Sequence, residues 1–281
     1  MAGRRASIIF FTALLAVGIG TAVYRCASPR EAKQPVAETK ECFSVETALP
    51  ASAEKLKLLD HKYYMTLYNP RHKQASCVAY LLTAEMVNKN DNVSRKGTGF
   101  KKDYLLSKDF ATKQDYTNSG YVRGHLCPSK DMCWSFASMQ ETFYMSNVSP
   151  QREEFNNGLW KNLENRVRAW ALENDSILVL CGPVLSTKKG EIGENGVSVC
   201  SKFYKIVIDI SYPTYKMIAF LMDNANPKGS VFRYSCSVRD VERITGLDFF
   251  PSQTGNKLID SLESTVEVDL WRQNTRNTVR Q

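Results

Sequence analysis

The residues able to do chemistry concentrate between positions 121 and 168. Tyr121-Val122-Arg123-Gly124-His125-Leu126-Cys127-Pro128 packs a cation, a flexible backbone position, a proton acceptor and a chain-stiffening proline into eight residues. Arginine presents a planar fork of donors that suits phosphate oxygens, histidine takes a proton near neutral pH, and glycine lets the backbone approach a ligand closely. About twenty residues on, Tyr144-Met145-Ser146-Asn147-Val148-Ser149-Pro150-Gln151 runs into Phe155-Asn156-Asn157-Gly158-Leu159-Trp160 and then Leu163-Glu164. The chain has three histidines, at 61, 72 and 125, and a histidine alone is as readily a packed residue as a catalyst. Its company singles out His125.

Together these stretches resemble the DNA/RNA non-specific endonuclease family of ββα-metal (His-Me finger) nucleases, which includes endonuclease G and the secreted bacterial non-specific nucleases. The family pattern is Asp-Arg-Gly-His, a proline three residues on, Ser-Asn-(Ile/Val)-x-Pro-Gln, a metal-binding asparagine, and a leucine-glutamate pair further along. The chain departs from it at Val122, where the family usually has aspartate. The resemblance covers roughly Lys55 to Pro251 and implies an α+β fold, a central antiparallel sheet with flanking helices and a ββα-metal finger site. It also implies hydrolysis of phosphodiester bonds in both DNA and RNA. In that scheme His125 is the general base, and Asn156 is the direct protein ligand of Mg²⁺, for which Mn²⁺ substitutes. Glu164 accepts hydrogen bonds from the cation's waters, Arg123, Arg95 and Arg168 hold phosphate, and Asn147 orients His125 or a water. Arg95 enters by its place ahead of the motif, in a lysine-rich loop that would otherwise be a solvated surface. Because valine can orient no neighbouring donor, a weakened or silent nucleic-acid-binding homologue is the alternative reading.

These groups need elements to position them. Tyr63 to Tyr68 and Cys77 to Thr83 are short β-rich runs separated by Asn69-Pro70-Arg71-His72-Lys73, a hairpin-like turn. From Phe155 onward, Phe155, Leu159, Leu163, Val167 and Trp170 form one apolar helical stripe, with Asn156, Trp160, Glu164 and Arg168 on the neighbouring strip. The spacing predicts a Glu164–Arg168 ion pair at i, i+4. Strands follow over 176–181, 197–210 and 215–223. A last helix is capped by Ser237 with Asp240 and stopped at Gly246.

A formal charge of +8 favours a polyanionic partner, nucleic acid or an anionic membrane surface, the latter leaving room for an anchored structural protein. Arg4 and Arg5 precede an apolar run over 7–23, the plan of a secretory signal, near the lower limit for an uncleaved anchor. The expected organisation is a signal or anchor over 1–25, a Pro/Ala/Glu/Lys-rich linker over 26–54, and a nuclease domain over 55–272. The expected destination is export to a periplasm or the exterior, with membrane anchoring through 7–23 as a variant. The endonuclease G resemblance offers the mitochondrial intermembrane space instead. Arg25 before Cys26 argues against a lipobox. Eight cysteines suit an oxidising compartment and disulfides, while His125, Cys127 and Cys133 match no recurrent zinc spacing.

Overall fold

The apolar runs of the chain converge on one sheet. The computed structural model describes residues 43–89, 93–211 and 215–272. In chain order the elements are α1 (Val45–Ala48), β1 (Ala51–Ser52), β2 (Lys57–Asp60), β3 (Met65–Asn69), β4 (Gln74–Thr83), α2 (Ala84–Asn88), β5 (Val122–His125), α3 (Phe136–Glu141), β6 (Val148–Gln151), α4 (Glu153–Asn156) and α5 (Leu159–Glu173). Then follow β7 (Ser176–Pro183), β8 (Lys188–Ile192), β9 (Val197–Cys200), β10 (Lys202–Asp209), β11 (Lys216–Asp223), β12 (Ser235–Cys236), α6 (Val238–Thr245), β13 (Leu247–Asp248), α7 (Lys257–Ser264) and α8 (Val268–Arg272).

Seven strands pair antiparallel in the order β12-β11-β10-β7-β4-β3-β2. Because side chains alternate across a strand, one sheet feeds two cores. Val78, Tyr80, Val179, Cys181, Phe203 and Val207 meet the α5 stripe of Leu159, Leu163, Val167 and Trp170. Cys77, Ala79, Leu178, Leu180, Tyr204 and Ile206 face Val238 and Val241 of α6 and Ile259 of α7. The fold is thus α+β, with a large antiparallel sheet and flanking helices. A separate antiparallel pair, β5 with β6, runs from Val122 opposite Gln151 to His125 opposite Val148, and α4 and α5 follow it directly. This hairpin-like pair and α5 position the candidate site.

Several expectations need correction. Residues 43–54 are no linker: Phe43 and Ala48 are buried in the second core, Phe43 stacks on Tyr215 at 5.0 Å, and β1 pairs with β13. Apolar side chains in a Pro/Ala-rich segment were enough to dock it. Residues 1–42, and with them the apolar run over 7–23, lie outside the described residues; among the described residues no helix is long and apolar enough to cross a membrane. The strand expected over 197–210 is two strands, β9 and β10, on different sheets. Among the described residues Cys77, Cys127, Cys133, Cys181, Cys200 and Cys236 are free thiols, all but Cys236 buried. The α6 caps match their sequence signals, with a reciprocal Ser237–Asp240 box and Gly246 at φ 70°.

The helix expected from Phe155 onward breaks into α4 and α5 at Asn157-Gly158. Gly158 has φ −97° and ψ −120°, and a Cβ there would lie 2.2 Å from the Glu154 carbonyl oxygen. Asn156 therefore ends one helix while Glu164 sits in the next, so the break sets their relative placement. Gly158→Ala must open this junction, at a cost of about 1–3 kcal/mol. Thermal melting of the variant is expected to show a fall of several degrees, and an unchanged melting temperature would show that the break is not sterically enforced.

Candidate active site

His125 closes β5, where the preceding glycine has a packing reason: a Cβ on Gly124 would lie 2.1 Å from the Gln151 amide across the pair. Beyond His125 the chain turns away, and Asn147 holds that turn. Its Oδ1 accepts from the Cys127 N–H at 2.8 Å, and its Nδ2 donates to the carbonyls of Cys127 and Thr142, each at 2.9 Å. Asn147 is fully buried and its amide is spent on backbone, so it does not touch the imidazole or a pocket water, as had been expected. It fixes His125 through the main chain.

The remaining six expected residues meet. Arg95, Arg123, His125, Asn156, Glu164 and Arg168 line one cavity of about 390 Å³, together with Phe100, Ser129, Lys130, Asn157, Lys161 and Asn165. Phe100 and Phe143 form an aromatic wall. The His125 ring centre lies 5.1 Å from that of Phe100 and 5.0 Å from that of Phe143, the latter edge-to-face; the Arg123 guanidinium lies 5.1 Å from the Phe100 ring centre, and that of Arg95 5.3 Å from the Phe143 ring centre. Cation–π contact thus holds two long side chains at the rim without spending their donors, although Arg123 also gives one long bond, 3.4 Å, to the Lys113 carbonyl.

The aromatic wall also sets the state of the histidine. Burial, with Arg95 adding to it, lowers the His125 pKa to about 3, so the ring is neutral throughout the physiological range. Its Nε2 is enclosed without a hydrogen-bond partner, which leaves Nδ1 as the nitrogen on the cavity side. Across the cavity, burial raises the Glu164 carboxyl to about 7; Lys205 pulls it down, Asp131 pushes it up, and Arg168 and Lys161 pull it down.

Arg168 does not pair with Glu164. Its Nη1 donates to Asp131 Oδ1 at 2.6 Å and its Nη2 to the Asn165 side chain, both charges of the Arg168–Asp131 pair being buried. Asp131 also accepts from the Tyr80 hydroxyl at 2.8 Å. A buried carboxylate gains more from a fork of donors than a half-exposed one does, which is why Asp131 wins the arginine. Asp131, Phe100, Lys130, Lys161 and Lys205 escaped the reading of the sequence. Only Lys205 left a signal there, as a charge at the inward phase of the apolar run Phe203-Tyr204-Lys205-Ile206-Val207.

Five cations and one carboxylate around the cavity suit a polyanion. The donors offered to a metal are the Asn156 side chain and the Glu164 carboxylate, and no group of three or more His, Cys, Asp or Glu able to hold a metal occurs among the described residues. Such a sparse oxygen set fits a hard cation that keeps most of its waters, and does not fit a structural zinc site.

Comparison with known proteins points the same way. The model of the DNA/RNA non-specific endonuclease family matches residues 45–255. The chain is 31% identical over 221 residues to Nuclease C1 of Cunninghamella echinulata var. echinulata, covering 74% of this chain and 88% of that protein. It is 31% identical over 220 residues to human mitochondrial Endonuclease G, covering 73% of this chain and 72% of that protein. A crystal structure of the EndoG/EndoGI complex matches with a TM-score of 0.67 at 30% identity, covering 73% of this chain and 89% of that one.

Val122 stands directly opposite Gln151, so their side chains share a face, and the Gln151 amide is buried with neither its nitrogen nor its oxygen hydrogen-bonded. Val122→Asp would place an acceptor beside that idle donor. It is expected to leave the melting temperature within about 3 °C, while in a Gln151→Leu background the same change costs about 1–3 kcal/mol more, because the new carboxylate then has no donor. Equal melting shifts in the two backgrounds would disprove the pairing.

Proposed function

The chain belongs to the DNA/RNA non-specific endonuclease family, and from that premise we propose that it is a metal-dependent, sugar-non-specific endonuclease that hydrolyses phosphodiester bonds of DNA and RNA, with His125 as general base and Asn156 as the direct ligand of Mg²⁺ or Mn²⁺. The observation that carries this reading is the convergence of a neutral histidine, two aromatic-mounted arginines, an asparagine and a half-buried glutamate on one cavity. It favours an active enzyme over a silent nucleic-acid binder, since Val122 removes none of these groups.

His125 Nδ1 takes the proton of a water directed at phosphorus. A base with so low a pKa accepts poorly by itself. Part of that lowering comes from Arg95, and a phosphate seated against Arg95 offsets its field, so the imidazole becomes more basic once substrate is bound. Arg123 and Arg95 hold the non-bridging oxygens from the rim and balance the charge that builds in the transition state. A divalent cation bound there would supply Lewis-acid stabilisation of the phosphate charge. Asn156 and Glu164 would hold it, the carboxylate acting on its hydration shell. Arg168 adds positive potential from the cavity wall while remaining on Asp131, so it is a wall residue more than a phosphate clamp. Arg4, Arg5 and the run over 7–23 are the proposed export or mitochondrial targeting segment. Lys130 and Lys161, both exposed at the cavity, are placed to meet neighbouring phosphates.

A fluorescent duplex and an RNA of matched length test the reading. Both are expected to be cut with Mg²⁺ or Mn²⁺ and neither in EDTA; undiminished cutting in EDTA would refute the metal requirement. His125→Ala is expected to lower cleavage about 10²- to 10⁴-fold while the protein stays folded and binds DNA within about threefold of wild type. Loss of folding with loss of binding would make His125 a packing residue.

The pH dependence follows from Glu164. With its pKa raised to about 7, the carboxyl is ionised above that pH and protonated below it, so protons and the cation compete for it as pH falls. The Mg²⁺ concentration giving half-maximal cleavage is expected to rise about tenfold per pH unit below 7, and Glu164→Gln to remove that slope. A slope unchanged in Glu164→Gln would assign it to another group.

A further inference from the structure

The face of β5 that carries His125 continues past the cavity. Side chains alternate across a strand, so Arg123 shares that face with His125, and Tyr121, just ahead of the strand, is the next residue in the same phase. Val122 pairs with Gln151, so the next residue on the partner strand's side is Arg152, and its guanidinium lies 4.4 Å from the centre of the Tyr121 ring. Tyr121 and Phe100, the ring beneath Arg123, pack against the same small core, formed around Tyr116, Met145, Val148 and Val197. Arg123 and Arg152 are thus mounted alike on neighbouring aromatic rings. Of the two, Arg123 lines the cavity and Arg152 stands beyond its rim.

Arg152 is exposed, but its main chain is fixed. Asn224 Oδ1 accepts from its N–H at 2.8 Å, while Asn224 Nδ2 donates to the Pro150 and Cys200 carbonyls at 3.1 and 3.0 Å. The side chain gives one bond, 3.3 Å, from Nη1 to the Gly120 carbonyl, and the ring contact uses no donor, so most of the guanidinium N–H groups are left for a ligand. Among the described residues the arginines paired with carboxylates are Arg168, Arg239, Arg243 and Arg272; Glu153 and Glu154, which follow Arg152 into α4, make no ion pair with it. We propose that Arg152, seated on Tyr121, binds the phosphate next to the one being cut, on the same strand of DNA or RNA. Which phosphate is cut rests on the nuclease reading; the phosphate contact of Arg152 does not. A two-residue step along a strand covers about 6.6 Å, close to the spacing of neighbouring phosphates on one nucleic-acid strand. Arg123 and Arg152 therefore match successive phosphates, and a planar fork of uncommitted donors suits their oxygens.

The test compares substrates with and without a neighbouring phosphate. With Mg²⁺, kcat/KM is measured for a single-stranded octanucleotide and for a dinucleotide whose one phosphate is the bond to be cut. Arg152→Gln is expected to lower the octanucleotide-to-dinucleotide ratio about tenfold, through KM more than kcat. Arg152→Lys, which keeps the charge and loses the fork, should recover part of that ratio. In EDTA, the log–log slope of octanucleotide affinity against salt should become shallower by about 0.7 in Arg152→Gln and stay at the wild-type value in Arg152→Lys. An unchanged ratio overturns the proposal, as does an equal loss on both substrates, which is the pattern of a residue that only shapes the cavity. The salt slope needs no turnover, so it decides the matter if the dinucleotide is cut too slowly to measure: a slope unmoved in Arg152→Gln overturns the proposal. A wild type that cuts neither DNA nor RNA would sink the nuclease reading instead, while the slope would still decide whether Arg152 meets a phosphate.

Discussion

The site depends on one buried carboxylate. Asp131 is inaccessible, yet it accepts from Tyr80 on the central sheet and from Arg168 on α5, and it sits in the segment that leaves His125. Three pieces of chain that carry different parts of the chemistry are thereby tied at one point. Buried ion pairs add little stability over apolar packing, but losing one partner strands a charge at a cost of about 3–5 kcal/mol. The tie therefore behaves as all or nothing, which suits a part that must hold the histidine strand at a set distance from the helix carrying Glu164.

Around that tie the protein uses desolvation to set protonation states. The aromatic wall of Phe100 and Phe143 keeps His125 neutral, and the packed face of α5 raises Glu164 to the edge of ionisation at neutral pH. Each group is held away from its ordinary behaviour in water, and the two-sided sheet core supplies the stability that offsets this strain. The cations are arranged by exposure. Arg95, Lys130 and Lys161 stand at the solvent side, where salt weakens them, while Arg168 lines the cavity from a buried position, where screening is small.

Glycine has two separate duties here. Gly124 lets the Gln151 side chain lie against the histidine strand, and Gly158 lets α4 end so that α5 starts in a new direction. Neither needs a left-handed backbone; both need the absence of a Cβ. The polar groups left idle by this close packing, the Gln151 amide above all, lie beside Val122, the position where the chain departs from the family pattern.

By itself the sequence determined what is local in period or in motif. Short β-rich runs between turn residues placed the central strands, the four-residue stripe from Leu159 to Val167 placed α5, and Ser237, Asp240 and Gly246 set the ends of α6. The Arg-Gly-His run, Asn156 and Glu164 marked the candidate site, and the structure brings them to one cavity. What only the tertiary structure decided is partnership between distant segments. Spacing on a helix made Glu164 the natural mate of Arg168, but a better desolvated carboxylate 37 residues away took it. Asn147 read as a catalytic amide, yet a buried turn with unmet backbone groups claimed all its bonds. The helical period ran unbroken from Phe155 through Gly158, but the Gly158 backbone leaves the helical region at φ −97° and ψ −120°, a turn that only a residue without a Cβ can make against the Glu154 carbonyl. Lys205 was visible only as a charge in an apolar strand, because the Trp160 ring it faces comes from α5, across the core. Periodicity reports which face of an element is buried; the choice among several charged partners is made by distance and dielectric inside the fold, which no local pattern encodes.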